Sequence, residues 1–130
     1  MNAAPRCPET LTLRCGPITA VELALYAASS GDLNPLHLDA EVARAAGFER
    51  PIVHGMYTMA CAGRLFGDTF GAAALRSLNT RFVGAALLGD TLVLNATLSG
   101  VAGGVASYDL RGETGAGTPV VTGSARVSLA

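Results

Sequence analysis

The chain has 130 residues, half of them hydrophobic, with 5% aromatics, no tryptophan and a formal net charge of −1. A length in this range makes one domain, residues 1–130, with a modest core built from Ala, Val and Leu. Charged residues at 15% leave no basic footprint for nucleic acid, and no apolar run reaches the length of a membrane-spanning helix.

The first residues, Met1–Glu9, lack the apolar core of a secretory leader. Three cysteines, Cys7, Cys15 and Cys61, are an odd number with no metal-ligand spacing, so reduced thiols in a cytoplasmic protein are expected. Leu11, Leu13 and Cys15 alternate with Thr12 and Arg14, predicting a short strand ended by Gly16-Pro17. Thr19-Ala-Val-Glu22 has the pattern of a capping box, in which Thr19 accepts from an early N–H and Glu22 reaches back. A helix carrying Val21, Leu23, Leu25, Tyr26 and Ala28 follows to about Ser29 and stops at Gly31. Asp39 is a second N-cap, for a short helix Ala40–Ala46 closed by Gly47. Pro51 breaks the chain again. From Gly55 to about Phe66 the residues are apolar almost all round, which predicts a helix buried on most sides.

The period then changes from 3.6 to 2. Leu78, Thr80 and Phe82 form one alternating set, and Leu92, Leu94, Ala96 and Leu98 another. Ala106, Tyr108 and Leu110 make a third, and Val121, Gly123, Ala125, Val127 and Leu129 a fourth. These elements define an α+β domain. Its economical packing is the hotdog arrangement, a curved antiparallel sheet wrapped around the Gly55–Phe66 helix.

Between the first two helices lies Tyr26-Ala-Ala-Ser-Ser-Gly-Asp-Leu-Asn-Pro-Leu-His37. It sets a carboxylate (Asp32), a carboxamide (Asn34) and an imidazole (His37) in a short segment stiffened by Pro35. An imidazole titrates near neutrality, so a carboxylate beside it makes a water-activating pair. The other histidine opens His54-Gly55-Met56. Taken singly, Asp32 also suits a turn cap and His37 a structural role. One histidine per segment and no third neutral ligand argue against a metal site.

The Gly-Asp-x-Asn-Pro-x-His core, followed by Phe48-Glu-Arg-Pro-Ile-Val-His-Gly-Met56, resembles the MaoC-like, (R)-specific enoyl-CoA hydratase family. Asn79-Thr-Arg-Phe82 and Gly89-Asp-Thr91 are similar to its later strand elements, so the resemblance runs from about Pro17 onward. It implies that Asp32 and His37 add water to C3 of a trans-2-enoyl thioester and deliver a proton to C2, or dehydrate an (R)-3-hydroxyacyl thioester in reverse. It also implies a Gly55 N–H that receives the developing enolate oxygen at the helix start. Asn34, His54 and Met56 complete the expected substrate-binding set, with Asn34 organising its turn and His54 bonding nearby backbone. The implied partners are an acyl thioester of CoA or acyl carrier protein and a second copy of the chain. No cofactor is implied.

Two positions depart from the pattern. Gly63 stands where some hydratases of the family carry Ser, and Phe82–Asp90 lacks the usual Pro. A hotdog thioesterase is a competing reading, disfavoured because Gly55–Phe66 holds no carboxylate to activate water. A non-catalytic subunit of a heterodimer is another, and such a subunit need not keep both Asp32 and His37. Arg44, Arg50, Arg64 and Arg81 are too scattered to outline a phosphate site.

Overall fold

A computed structural model describes residues 7–129; most of the N-terminal stretch read above for a leader lies outside them. Strand β1, Thr10–Cys15, precedes helix α1, Ala20–Ser30. A 3-10 turn at Pro35–His37 leads to α2, Ala40–Ala45, and then to α3, Gly55–Phe70. Four strands complete the chain: β2 Leu75–Phe82, β3 Leu92–Ala102, β4 Val105–Thr114 and β5 Pro119–Ser128. The five form one antiparallel sheet in the order β1-β3-β4-β5-β2. This curved sheet around a helix is the hotdog arrangement expected from the periodicities.

Local chemistry explains most of the boundaries. Thr19 Oγ1 accepts from the Glu22 N–H at 3.1 Å, a cap typically contributing ~1 kcal/mol. Gly31 ends α1 in the left-handed conformation, φ 79°, returning its N–H to Ala27. Asp39 accepts from the N–H groups of Glu41 and Val42 at the start of α2. Gly103 and Gly104 both have positive φ, as a two-residue hairpin turn between β3 and β4 requires.

The core lies between α3 and the inner sheet face. Cys61, Ala62, Leu65 and Phe66 of α3 meet Leu92, Leu94 and Ala96 of β3, Ala106, Tyr108 and Leu110 of β4, and Val121, Ala125 and Val127 of β5. Phe66 and Tyr108 have ring centroids 5.6 Å apart, and burying an aromatic of this size stabilises by roughly 1.5–3 kcal/mol. The Tyr108 hydroxyl escapes burial unpaired by donating to the Pro8 carbonyl at 2.6 Å. Cys7, Cys15 and Cys61 are free thiols. No helix among the described residues is long and apolar enough to cross a membrane.

Two expectations, the reciprocal Glu22 cap and the extent and burial of the third helix, need correction. Glu22 does not reach back to its own helix start; it accepts from the Tyr57 hydroxyl at 2.7 Å, tying α1 to α3. Helix α1 buries only Leu23 and Ala27, leaving Val21 and Leu25 exposed, because it packs along one narrow face. Helix α3 runs on to Phe70 and is buried on one side only: Met56 and Ala60 are exposed while Thr58 is buried. Its extension through Gly67-Asp68-Thr69 includes weak helix formers, carried by tertiary packing. The loop without the usual proline lies tight on β5, since a Cβ on Gly84 would meet the Pro119 carbonyl oxygen.

Candidate active site

The segment from Gly31 to His37 is shaped by its own side chains. Asn34 Oδ1 accepts from the Leu36 N–H at 3.0 Å and so caps the 3-10 turn. Asp32 Oδ1 accepts from the Asn34 N–H at 3.4 Å, a side-chain turn that short polar residues favour. With Oδ1 so engaged, Oδ2 projects toward His37 Nε2, 3.5 Å away. The turn role and the pairing coexist in Asp32, each with its own oxygen.

His37 is held more firmly than a loop residue would be. It is 8% exposed, and its Nδ1 donates to the Ile52 carbonyl at 2.8 Å. A carbonyl cannot donate, so the neutral ring carries its hydrogen on Nδ1 and turns the Nε2 lone pair toward Asp32. The sequence carries no signal for Ile52, because its contribution is a backbone oxygen. The Ile52 N–H in turn donates to Leu36 at 3.0 Å, stitching the 3-10 turn to the stretch leading into α3.

His54 takes a supporting position. It is 1% exposed, its ring stacks on His37 with centroids 3.7 Å apart and planes inclined by 20°, and its Nε2 lies 3.2 Å from the Asp32 carbonyl oxygen. A buried ring of this kind has no free face to offer a substrate. Burial lowers its pKa from the ordinary imidazole value; the neighbouring His37 acts the same way, while the Asp32 carbonyl and carboxylate oppose it. Tyr26 packs edge-on against His54 at 4.8 Å and against Tyr57 at 5.6 Å. Burial, followed by the hydrogen bond to Glu22, pushes the Tyr57 hydroxyl pKa up.

Asp32, His37 and His54 bring potential metal-ligand atoms within 4.8 Å of one another. Their geometry does not make a cradle. An imidazole binds a metal in its own ring plane at about 2.0–2.1 Å, and two rings stacked face to face with centroids 3.7 Å apart do not share such an in-plane position. Nδ1 of His37 and Nε2 of His54 are already bonded to carbonyl groups.

Gly55 opens α3, where the first N–H groups have no intrahelical partner and the helix dipole favours negative charge. A Cβ there would come 3.1 Å from the Phe82 ring. Gly55, Thr58 and Phe82 line a cleft of about 210 Å³ with Ile52, Val53, Gly84, Ala85, Ala86 and Val120. Its walls are mostly apolar. The sequence did not single out Thr58 or Phe82 for this site: Thr58 carries no motif signal, and Phe82 stood only among the alternating and motif residues of its strand. Met56, beside Gly55, is 56% exposed. A larger depression, about 610 Å³, lies on the opposite sheet face among Asn95, Thr97, Asp109, Arg111, Glu113 and Thr122. It is polar and remote from the acid–imidazole pair. Of the arginines, Arg50 pairs with Asp90 at 3.2 Å and Arg64 with Asp68 at 3.8 Å.

Fold and site together define a hotdog domain with a carboxylate and an imidazole facing each other beside an open helix N-terminus. The sequence model described as the MaoC like domain matches residues 7–118, and the chain belongs to this family. Enoyl-CoA hydratase ChsH3 of Mycobacterium tuberculosis is 42% identical over 82 residues, which are 61% of this chain and 28% of that protein. A peroxisomal enoyl-CoA hydratase 2 of Arabidopsis thaliana is 37% identical over 93 residues, 67% of this chain and 29% of that protein. The chain thus spans under a third of these two relatives. The solved (R)-hydratase from A. caviae involved in PHA biosynthesis superposes with a TM-score of 0.85 at 31% identity, covering 93% of this chain and 94% of that one.

Proposed function

We propose that the chain is a hydro-lyase that adds water to trans-2-enoyl thioesters, forming (R)-3-hydroxyacyl thioesters, and catalyses the reverse dehydration. The observation that carries this reading is the 3.5 Å gap between Asp32 Oδ2 and His37 Nε2. In the neutral ring both atoms are acceptors. A water seated at hydrogen-bond distance, about 2.8 Å from each, can donate one hydrogen to either side.

As the water oxygen bonds to C3, one of its protons passes to the pair and the C2=C3 electrons move toward the thioester oxygen. The pair then returns a proton to C2, so the net change is the addition of one water. The enolate oxygen formed in between is received by the Gly55 N–H, in a setting where a fixed donor stabilises developing charge strongly. The apolar cleft beside Gly55 suits an acyl chain, and the likeness to the solved (R)-hydratase from A. caviae supports the stereochemical class.

A panel of trans-2-enoyl-CoA substrates of increasing length, followed by loss of the conjugated-thioester absorbance, tests the proposal. Turnover of at least one member to an (R)-3-hydroxyacyl product is expected; a folded protein inert toward all of them would end it. The thioesterase alternative gains one point, because α3 does include a carboxylate, Asp68. That group is exposed at the far end of the helix and paired with Arg64, so it has no water to activate at the cleft.

The working form is a homodimer whose sheets join edge to edge. Strands β1 and β2 are free sheet edges, which proteins normally cover. Leu33, Leu38 and Met56, neighbours of Asp32, His37 and Gly55, are exposed, as are Phe82 and Val83. Light scattering at micromolar concentration should give twice the 13.1 kDa chain mass. A monomer, or activity only with a second gene product, would contradict this. A reducing compartment such as the cytoplasm fits the three free thiols.

A further inference from the structure

One buried side chain touches both members of the acid–imidazole pair. His54 stacks under the His37 ring at 3.7 Å and reaches the Asp32 backbone carbonyl through Nε2 at 3.2 Å. Tyr26 of α1 closes it from the side. Because a carbonyl only accepts, the His54 hydrogen must be on Nε2, whereas the same rule puts that of His37 on Nδ1, toward Ile52. The two stacked rings therefore hold opposite neutral tautomers. His54 Nδ1 is left as a buried lone pair with no partner among the described residues, a costly arrangement whose presence calls for a reason.

We propose that His54 is a positioning residue for the hydration described above: its Nε2–H fixes the backbone of Asp32 while its ring face supports His37, so a side chain hidden from the thioester sets the acid-to-imidazole gap. The kinetic half of this proposal rests on the hydro-lyase reading; the paired tautomers do not. The groups facing His54 are Asp32 and His37, with Tyr26 from α1; behind Tyr26 lies Tyr57 of α3, bonded to Glu22. A proton gained by His54 would go to the free Nδ1 and set a cation against His37. Neutrality is thus part of the design, and the burial that lowers its pKa favours it.

The chain has only two histidines, so long-range ¹H–¹⁵N correlations resolve both rings in the intact protein. His37 should show the Nδ1–H pattern and His54 the Nε2–H pattern, with His54 staying neutral as the pH falls through about 6.5, the ordinary imidazole value. His54→Phe keeps a ring face but removes the N–H. It should lower kcat by about 10²-fold, the scale expected when a reacting group is misplaced by an ångström, with KM nearly unchanged. His54→Gln, which restores an N–H toward Asp32, should recover part of the loss.

Identical tautomers in the two rings, protonation of His54 at or above pH 6.5, or a His54→Phe variant as active as the parent would each overturn the proposal. So would losses in both variants that merely track loss of folded protein by circular dichroism, which would mark a packing role. A parent that hydrates no enoyl thioester while the opposite tautomers are present would overturn the reaction reading instead, so the two failures are distinguishable.

Discussion

Asp32→Asn is expected to reduce kcat for enoyl-thioester hydration by ~10²–10⁴-fold, the range typical of losing a general acid or base, with the fold unchanged. Asparagine keeps an Oδ1 that can accept from the Asn34 N–H, so the turn survives. What disappears is the charge and basicity of the oxygen facing His37. Asp32 has a side chain 52% exposed, so little packing changes with it. His37→Ala should cause a loss of similar size, but it is the less clean variant. It removes the bond to the part-buried Ile52 carbonyl, and an acceptor left unsatisfied away from water costs up to about 1–3 kcal/mol. Thermal denaturation should therefore accompany its kinetics. Near parental kcat in both variants, on a substrate that the parent turns over, would make the mechanism wrong.

Gly55→Val should lower kcat by about 10²–10³-fold, the loss seen when one oxyanion donor is displaced. Two effects combine in this variant. The added Cβ enters the space through which a thioester oxygen would approach the helix start, and it meets the Phe82 ring, 3.1 Å away in the parent. Phe82 is 46% exposed, so its ring can swing aside and the protein should remain folded. Gly55→Ala is the graded control. The glycine is not among those with positive φ, so alanine adopts its backbone without strain, and the loss should be smaller than for valine. An unchanged kcat in Gly55→Val, or a bound thioester whose carbonyl points away from this N–H, would remove Gly55 from the mechanism.

Several features of the fold were legible because their causes lie within a few residues of chain. Thr19 and Asp39 cap their helices through side chains reaching two or three residues ahead. Glycine ended α1, and period-two alternation located the sheet strands. The core of the site motif was legible for the same reason. Asp32, Asn34 and Pro35 build one turn from local hydrogen bonds, and that turn delivers the carboxylate to His37.

Glu22 shows where such reasoning stops. Its spacing from Thr19 is right for a reciprocal cap, yet the Tyr57 hydroxyl from another helix is the partner it takes. The open side of α3 is similar. Composition alone makes that helix look buried all round, but one sheet can cover only one side of a helix, and Met56 and Ala60 face away from it.

By itself the sequence determined which segments become helix or strand, where most of them stop, and that an acid and an imidazole share one short turn. Only the tertiary structure decided that β1 lies beside β3 and β2 beside β5, that Ile52 orients His37, and that His54 lies beneath it. The physical reason is range. Caps, turns and periodicity are set by steric and hydrogen-bond preferences of adjacent residues, which the order of side chains records directly. Strand partners and the stacking of two histidines from different segments depend on which distant groups can be buried together with every polar atom satisfied, and that is settled only when the whole core closes.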